Sequence, residues 1–274
     1  MARIILNNKY LQSEYSRIWS SKPNFGVIGI KVKGKTSKTI DVDAIVNRGY
    51  GVCDRMYEES VVFVGLNPAY GKDDQPGNSF FNLLGKPSYK YFTAIDEFCN
   101  QIMSKIQRNF DYSYSIIDMF AIRHTNEADI KIAIDKIPAF KQFCQQQFDV
   151  FKGILQTAKP KAIVVCNAYA SGWFKKGTLN PNGFDLYWDD LIGTWRIQND
   201  VLIQGVKTYR AKDDESFDFT SAEPIECNSN DSRVLDSTPV YFSSMLSGQR
   251  ALDNGSKERL QWQIASLLQG KTMI

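Results

Sequence analysis

What this chain has little of narrows it first. A single histidine, His124, occurs in 274 residues. That excludes a multi-histidine metal site and any chemistry that passes protons along several imidazoles. The five cysteines stand at positions 53, 99, 144, 166 and 227, with no C-x-x-C spacing among them. No local zinc or iron–sulfur motif is therefore present, and an odd number cannot complete a disulfide framework. This usage predicts a reducing, cytoplasmic setting. No apolar run approaches the roughly 20 residues that cross a bilayer. The first stretch, MARIILNNKYLQSEY, has neither the apolar core nor the cleavage pattern of a signal peptide. Charge is nearly balanced, 33 basic against 30 acidic residues for a net +3. Such a balance permits a local basic patch but does not impose nucleic-acid binding. Internal repeats and low-complexity tracts are absent.

What is present is enough apolar material for a real core: 43% hydrophobic, with 17 Phe, 13 Tyr and 5 Trp. Helical spacing marks residues 8–20, 92–107, 139–158 and the closing SKERLQWQIASLLQ. Residues 61–66 are apolar on both faces, as in a central parallel strand. SYSIIDMFAI, KAIVVCNAYASGWF and TPVYFSSML each supply a further strand. From residue 61 the order is strand, helix, strand, helix, strand, a long excursion, strand, helix. This predicts an α/β fold, a three-layer α/β/α domain on a central, largely parallel four-stranded sheet. The whole chain, 1–274, reads as one domain with an N-terminal extension (1–55) and an insertion (174–237). Within the insertion, LNPNGFDLYWDD and TWRIQNDVLIQGVKTYR suggest a hairpin, and AKDDESFDFTSAEPIECNSNDSR is polar and acidic, as surface loops are.

In parallel α/β sheets, sites form beyond the carboxyl ends of the strands. Four such ends are polar or small: GLNPAYG, DMFAIRHTN, CNAYASG and FSSMLSG. Together they resemble the uracil-DNA glycosylase superfamily, and within it the mismatch-specific uracil/thymine branch. VVFVGLNP followed by QPGNSFFNLL matches that branch's G-[IL]-N-P and P-[GA]-N-x-F-[WF] segments in order, and FSSMLS stands at its late loop. The likeness spans about residues 60–170 and 238–268.

The resemblance implies a DNA base-excision enzyme that hydrolyses the N-glycosidic bond of a flipped base, with DNA as partner and no metal or organic cofactor. Asn67 falls on the position that holds the attacking water; as a plain turn residue it would instead bond its own backbone before Pro68. Asp118 falls where the family reads the base with an asparagine. An ionised carboxylate only accepts hydrogen bonds, so it favours an edge rich in N–H donors; alternatively it caps a turn or pairs with Arg123. Tyr70 is the aromatic available to stack on the base, and Asn167 supports the pocket. In the late loop Phe242 replaces a histidine, Ser244, Ser247 and Arg250 are candidate phosphate contacts, and Leu246 matches the wedge that fills the gap left by an extruded base. Two other readings stay open: a relative that binds nucleic acid or nucleotide without catalysis, and a hydrolase of free nucleosides or nucleotides, which a buried Leu246 favours.

Overall fold

A computed structural model describes residues 4–6, 8–30, 37–81, 90–106, 113–203, 207–210, 223–226, 234–247 and 251–270. Among these the strands are β1 (Ile4–Leu6), β2 (Val27–Ile30), β3 (Lys38–Asp41), β4 (Gly51–Cys53), β5 (Arg55–Tyr57), β6 (Val61–Gly65), β7 (Ser79–Phe81), β8 (Tyr114–Asp118), β9 (Ala162–Val165), β10 (Asp185–Asp189), β11 (Thr194–Gln198), β12 (Lys207–Arg210), β13 (Glu223–Glu226) and β14 (Pro239–Phe242). The helices are α1 (Asn8–Ser20), α2 (Val42–Val46), α3 (Lys90–Lys105), α4 (Glu127–Lys136), α5 (Pro138–Ala158), α6 (Ala168–Phe174) and α7 (Asn254–Leu268).

The main sheet has six strands in the order β10-β11-β14-β9-β6-β8. Its four parallel strands β14, β9, β6 and β8 are the four expected, with Val61 opposite Tyr114 on one side and Ala162 on the other. The expected four-stranded sheet is nevertheless corrected to a six-stranded mixed one. The hairpin β10–β11 of the excursion pairs antiparallel with β14 through Trp195 and Val240 and extends that edge. Its alternation of apolar and polar residues identifies a hairpin, but periodicity carries no information about which edge a hairpin joins.

Alternate residues of the central strands enter two separate cores. Val62, Val64, Ile117, Ile163, Val165 and Val240 pack with residues of α1, α4, α5 and α6. Val61, Phe63, Ile116, Ala162, Val164 and Tyr241 pack with α3 and α7. That two-residue period is the pleat of a sheet buried on both faces. The amphipathic run from residue 139 becomes α5, started by Pro138 in its first turn and ended by Lys159 in a left-handed conformation (φ 47°), just before Pro160.

The segments outside the family resemblance meet each other. Strands β12 and β13 of the excursion pair with β1 and β5 of the N-terminal region in a second, four-stranded antiparallel sheet, order β13-β12-β1-β5. Tyr15, Ile18 and Phe25 belong to the larger core, so the N-terminal region is packed into the body of the protein.

Candidate active site at the strand ends

The connections of the parallel strands fix where the cleft lies. Strand β6 leads to α3 on one side of the sheet, whereas its neighbours β8 and β9 lead to α4 and α6 on the other. A sheet whose adjacent strands send their chains to opposite faces opens a crevice at their carboxyl ends. Here it opens around the end of β6, at Gly65, Leu66 and Asn67.

Asn67 is held in one orientation. Its Nδ2 donates to the carbonyls of Pro68 (3.1 Å), Ile122 (3.0 Å) and His124 (2.7 Å). Among the described residues its Oδ1 has no partner, and that atom is not among the buried unpaired ones. The amide therefore spends its donor end on the backbone and keeps its acceptor end unpaired among the described residues. Those three carbonyls also explain the residue type. A carboxylate would set oxygen against oxygen there, so an amide is required. The loop itself is fastened to the segment after β8: Phe120 N donates to Leu66 O (2.9 Å), His124 N to Pro68 O (2.9 Å), and Tyr70 N to Thr125 Oγ1 (3.1 Å).

Asp118 ends β8 directly beside Gly65, its register partner. A Cβ on Gly65 would stand 2.1 Å from Asp118 Oδ1 and 3.4 Å from the Tyr91 hydroxyl, so only glycine admits the carboxyl at this place. Asp118 has no hydrogen-bond or ionic partner among the described residues, and burial alone pushes its carboxyl up to about 7. The alternative that it pairs with Arg123 does not hold. Arg123 is 8% exposed and donates to the carbonyls of Gln75 (2.9 Å) and Gly77 (2.7 Å), with Asp74 at 3.7 Å. It thus staples the Q-P-G-N segment. There Gly77 has φ +135° and Gly49 φ +83°, and a Cβ on Gly49 would meet the Gly77 backbone at 2.6 Å.

The other candidates divide. Tyr70 lies on the Asn67 loop, but guanidinium groups pack on its ring, Arg48 at 4.7 Å and Arg123 at 5.0 Å from the centroid. Asn167 caps α6: its Oδ1 accepts from Tyr169 N (2.7 Å) and Ala170 N (3.0 Å), and its Nδ2 donates to Glu127 (2.7 Å). It supports the end of β9, with its oxygen fully engaged and one amide N–H unassigned among the described residues. Ser244 is exposed and Ser247 half-buried. Leu246 is 2% exposed and packs in the α3/α7 core, so in this conformation no wedge projects. Arg250 lies outside the described residues. Phe242 is half-buried, with the Lys175 ammonium 4.1 Å from its ring centroid.

Sequence reasoning missed Tyr91 and Arg48. Tyr91 precedes the apolar stripe of α3, and nothing in its spacing marks it. Its hydroxyl is buried and unpaired beside Asp118, and burial, with Cys166 and Asp118 nearby, raises its pKa well above the usual value. Arg48 sits in the turn N-R-G before β4. Its Nη1 contacts His124 Nδ1 at 2.5 Å, while His124 Nε2 faces Asp129 at 3.3 Å and Lys38 pairs with Asp129. Since a guanidinium only donates, His124 Nδ1 must accept, and the imidazole is neutral; burial and Arg48 lower its pKa accordingly. Arg48 has no carboxylate partner among the described residues.

Chemically, then, the ends of β6 and β8 and the segments fastened to them carry an amide with its donor end fixed, a carboxyl raised by burial and a guanidinium with spare donors. No group of three or more histidine, cysteine or acidic residues fit to hold a metal ion occurs among the described residues. No helix among them is long and apolar enough to cross a membrane. No model of a known protein family matches this chain, and no curated protein is significantly similar to it.

Proposed function

We propose that the cleft hydrolyses an N-glycosidic bond in nucleic acid, taking in a damaged or mismatched base extruded from DNA. The observation that carries this reading is the fixed Asn67 amide, with Nδ2 on three carbonyls and Oδ1 free, one strand away from the unpartnered Asp118. Asn67 Oδ1 accepts a hydrogen bond from a water and orients its oxygen towards the anomeric carbon. The water oxygen forms the new C–O bond, the electron pair of the C–N bond leaves with the base, and the proton lost by the water ends on the departing base, so no protein group changes its protonation. An amide is a poor base, so the contribution of Asn67 is positioning, and the chemistry is slow. Asp118 reads the N–H edge of the base. Two helix-covered sheet faces support the three-layer α/β/α form of the expected fold.

A second reading, a hydrolase of free nucleosides or nucleotides on the same residues, is favoured by the burial of Leu246, because such substrates need no wedge. One experiment separates the two. Single-turnover cleavage is measured on duplexes and single strands carrying uracil, mismatched thymine, hypoxanthine, xanthine or alkylated bases, and on the corresponding nucleosides and nucleotides. The expected result is base release from DNA that falls at least about 100-fold in Asn67→Ala, the scale of losing a positioning group. Release from nucleosides or nucleotides alone selects the second reading. No release from any substrate, with protein in large excess, overturns both. Thermal melting of Asn67→Ala accompanies the assay, since the Nδ2 bonds also brace the loop.

A further inference from the structure

Two oxygens converge on Gly65 from opposite elements, and neither has a partner among the described residues. Asp118 Oδ1 comes from the end of β8, and the Tyr91 hydroxyl comes from the first turn of α3. Their distances to the position a Gly65 Cβ would take, 2.1 and 3.4 Å, bring them no farther apart than the sum of the two. The Tyr91 hydroxyl is buried with no hydrogen-bond partner, and a buried donor without an acceptor is a standing cost that native structures rarely keep. Both residues are half-buried as a whole, but the Tyr91 hydroxyl is among the fully enclosed unpaired atoms and the Asp118 oxygens are not.

We propose that Tyr91 is a positioning residue for Asp118: once Asp118 ionises, the Tyr91 hydroxyl is the donor that the inner carboxylate oxygen takes up, which leaves the outer oxygen to a ligand. Bound in this way, Asp118 offers a single, oriented acceptor to a ring N–H of a heterocyclic base, and the charge on its far oxygen is met by the phenol. Among the described residues no other side-chain donor reaches Asp118. The titratable groups facing Asp118 are Tyr91 from α3 and Tyr15 from α1; Cys166, at the end of β9, faces Tyr91. Burial raises all three, Cys166 to about 12, so none carries charge near neutral pH. No cation faces the carboxylate among the described residues, so the phenol is the side-chain donor placed to meet its charge.

The ligand class rests on the proposed glycosylase chemistry, but the Tyr91–Asp118 coupling does not, and the test keeps them apart. Tyr91→Phe removes only the hydroxyl. The Asp118 carboxyl carbon, labelled with 13C and assigned by its loss in Asp118→Asn, is titrated by NMR in the wild type and in Tyr91→Phe. A carboxylate that loses a donor titrates higher, so the midpoint is expected to rise by about one unit with the melting temperature unchanged or raised. In parallel, free uracil and free hypoxanthine are the binding probes at pH 8. Affinity is expected to fall about tenfold in Tyr91→Phe and to be kept in Asn67→Ala, as for loss of one hydrogen bond to a charged group. An unmoved midpoint, or a Tyr91→Phe protein several degrees less stable with unchanged base affinity, overturns the inference. A raised midpoint with no base bound by the wild type upholds the coupling and overturns the ligand class.

Discussion

Two clusters of polar groups in this protein are treated in opposite ways. At the foot of the excursion, Gln156 is fully buried on α5. Its Nε2 donates to both oxygens of Asp200 (3.1 and 2.9 Å) and to Val201 O (2.8 Å), and its Oε1 accepts from Ile203 N (2.8 Å). Asp200 also accepts from Leu235 N (3.2 Å), and Asp236 accepts from Asp200 N (2.8 Å). Each of these groups is paired, and together they hold residues 200–203 and 235–236 of the excursion against one helix. At the strand ends, Asn67 Oδ1, Asp118 and the Tyr91 hydroxyl are left without partners among the described residues, and the hydroxyl is fully enclosed. A buried network that satisfies itself stabilises a fold; a cluster that does not is available to a ligand. Polar residue types alone do not separate the two regions; their hydrogen-bond accounting does.

The largest effect should come from breaking the satisfied region. Gln156→Leu keeps the volume but strips Asp200 of its side-chain donor and leaves a carboxylate 5% exposed without its main partner. A loss of about 3 kcal/mol in urea unfolding is expected. Asn67-dependent chemistry should survive in the fraction that stays folded. If Gln156→Leu abolished activity at full stability, the division between scaffold and site would be wrong.

Asp118→Asn tests the other half and should have the opposite sign. The carboxyl titrates near 7 in the folded protein and about 3.9 in an unfolded chain. The folded state therefore binds more protons between those values, and its stability falls as pH rises from about 4 to 7. An asparagine does not titrate. The variant should gain stability relative to wild type across this window, by roughly 2 kcal/mol at pH 8, about half the full linkage value because the carboxyl keeps contact with solvent. Base affinity should fall at the same time. His124, whose lowered pKa acts in the opposite direction, is common to both proteins and cancels in the difference. Equal pH profiles for the two proteins would show that Asp118 is not the strained member of the site.

How much of this was legible beforehand follows the same line. The parallel strands could be read because each is an uninterrupted apolar run bounded by turn residues, and α5 because its stripe is long and ends at a proline. Asn67 and Asp118 could be read because they terminate such runs. Tyr91 and Arg48 could not, since what distinguishes them is a missing partner, and a missing partner is a property of three-dimensional neighbours. Leu246 shows the converse: its loop fits the pattern of a wedge, yet burial against α3 and α7 depends on where that loop is folded back. The sixfold width of the sheet was hidden for a similar reason, because which edge accepts the β10–β11 hairpin is decided by long-range pairing with β14.

The smallest effect, and the most discriminating between nucleic acid and free base, belongs to Arg48. Its guanidinium lies against Tyr70, touches His124 through one nitrogen, and has no acid to neutralise it among the described residues. An arginine held in place with donors to spare, on the rim of the loop that carries Asn67, suits a phosphate oxygen. Arg48→Ala should therefore weaken binding of an oligonucleotide a few-fold at moderate salt and lower the slope of log affinity against log salt by about one phosphate contact. It should leave the affinity for free uracil or hypoxanthine unchanged, because those ligands carry no phosphate. The half-buried side chain supports no core packing of its own, so melting should move little. An unchanged salt slope would assign Arg48 to holding Tyr70 and His124, and would move the phosphate contacts, and with them the path of a strand across the cleft, to the Ser244–Ser247 loop.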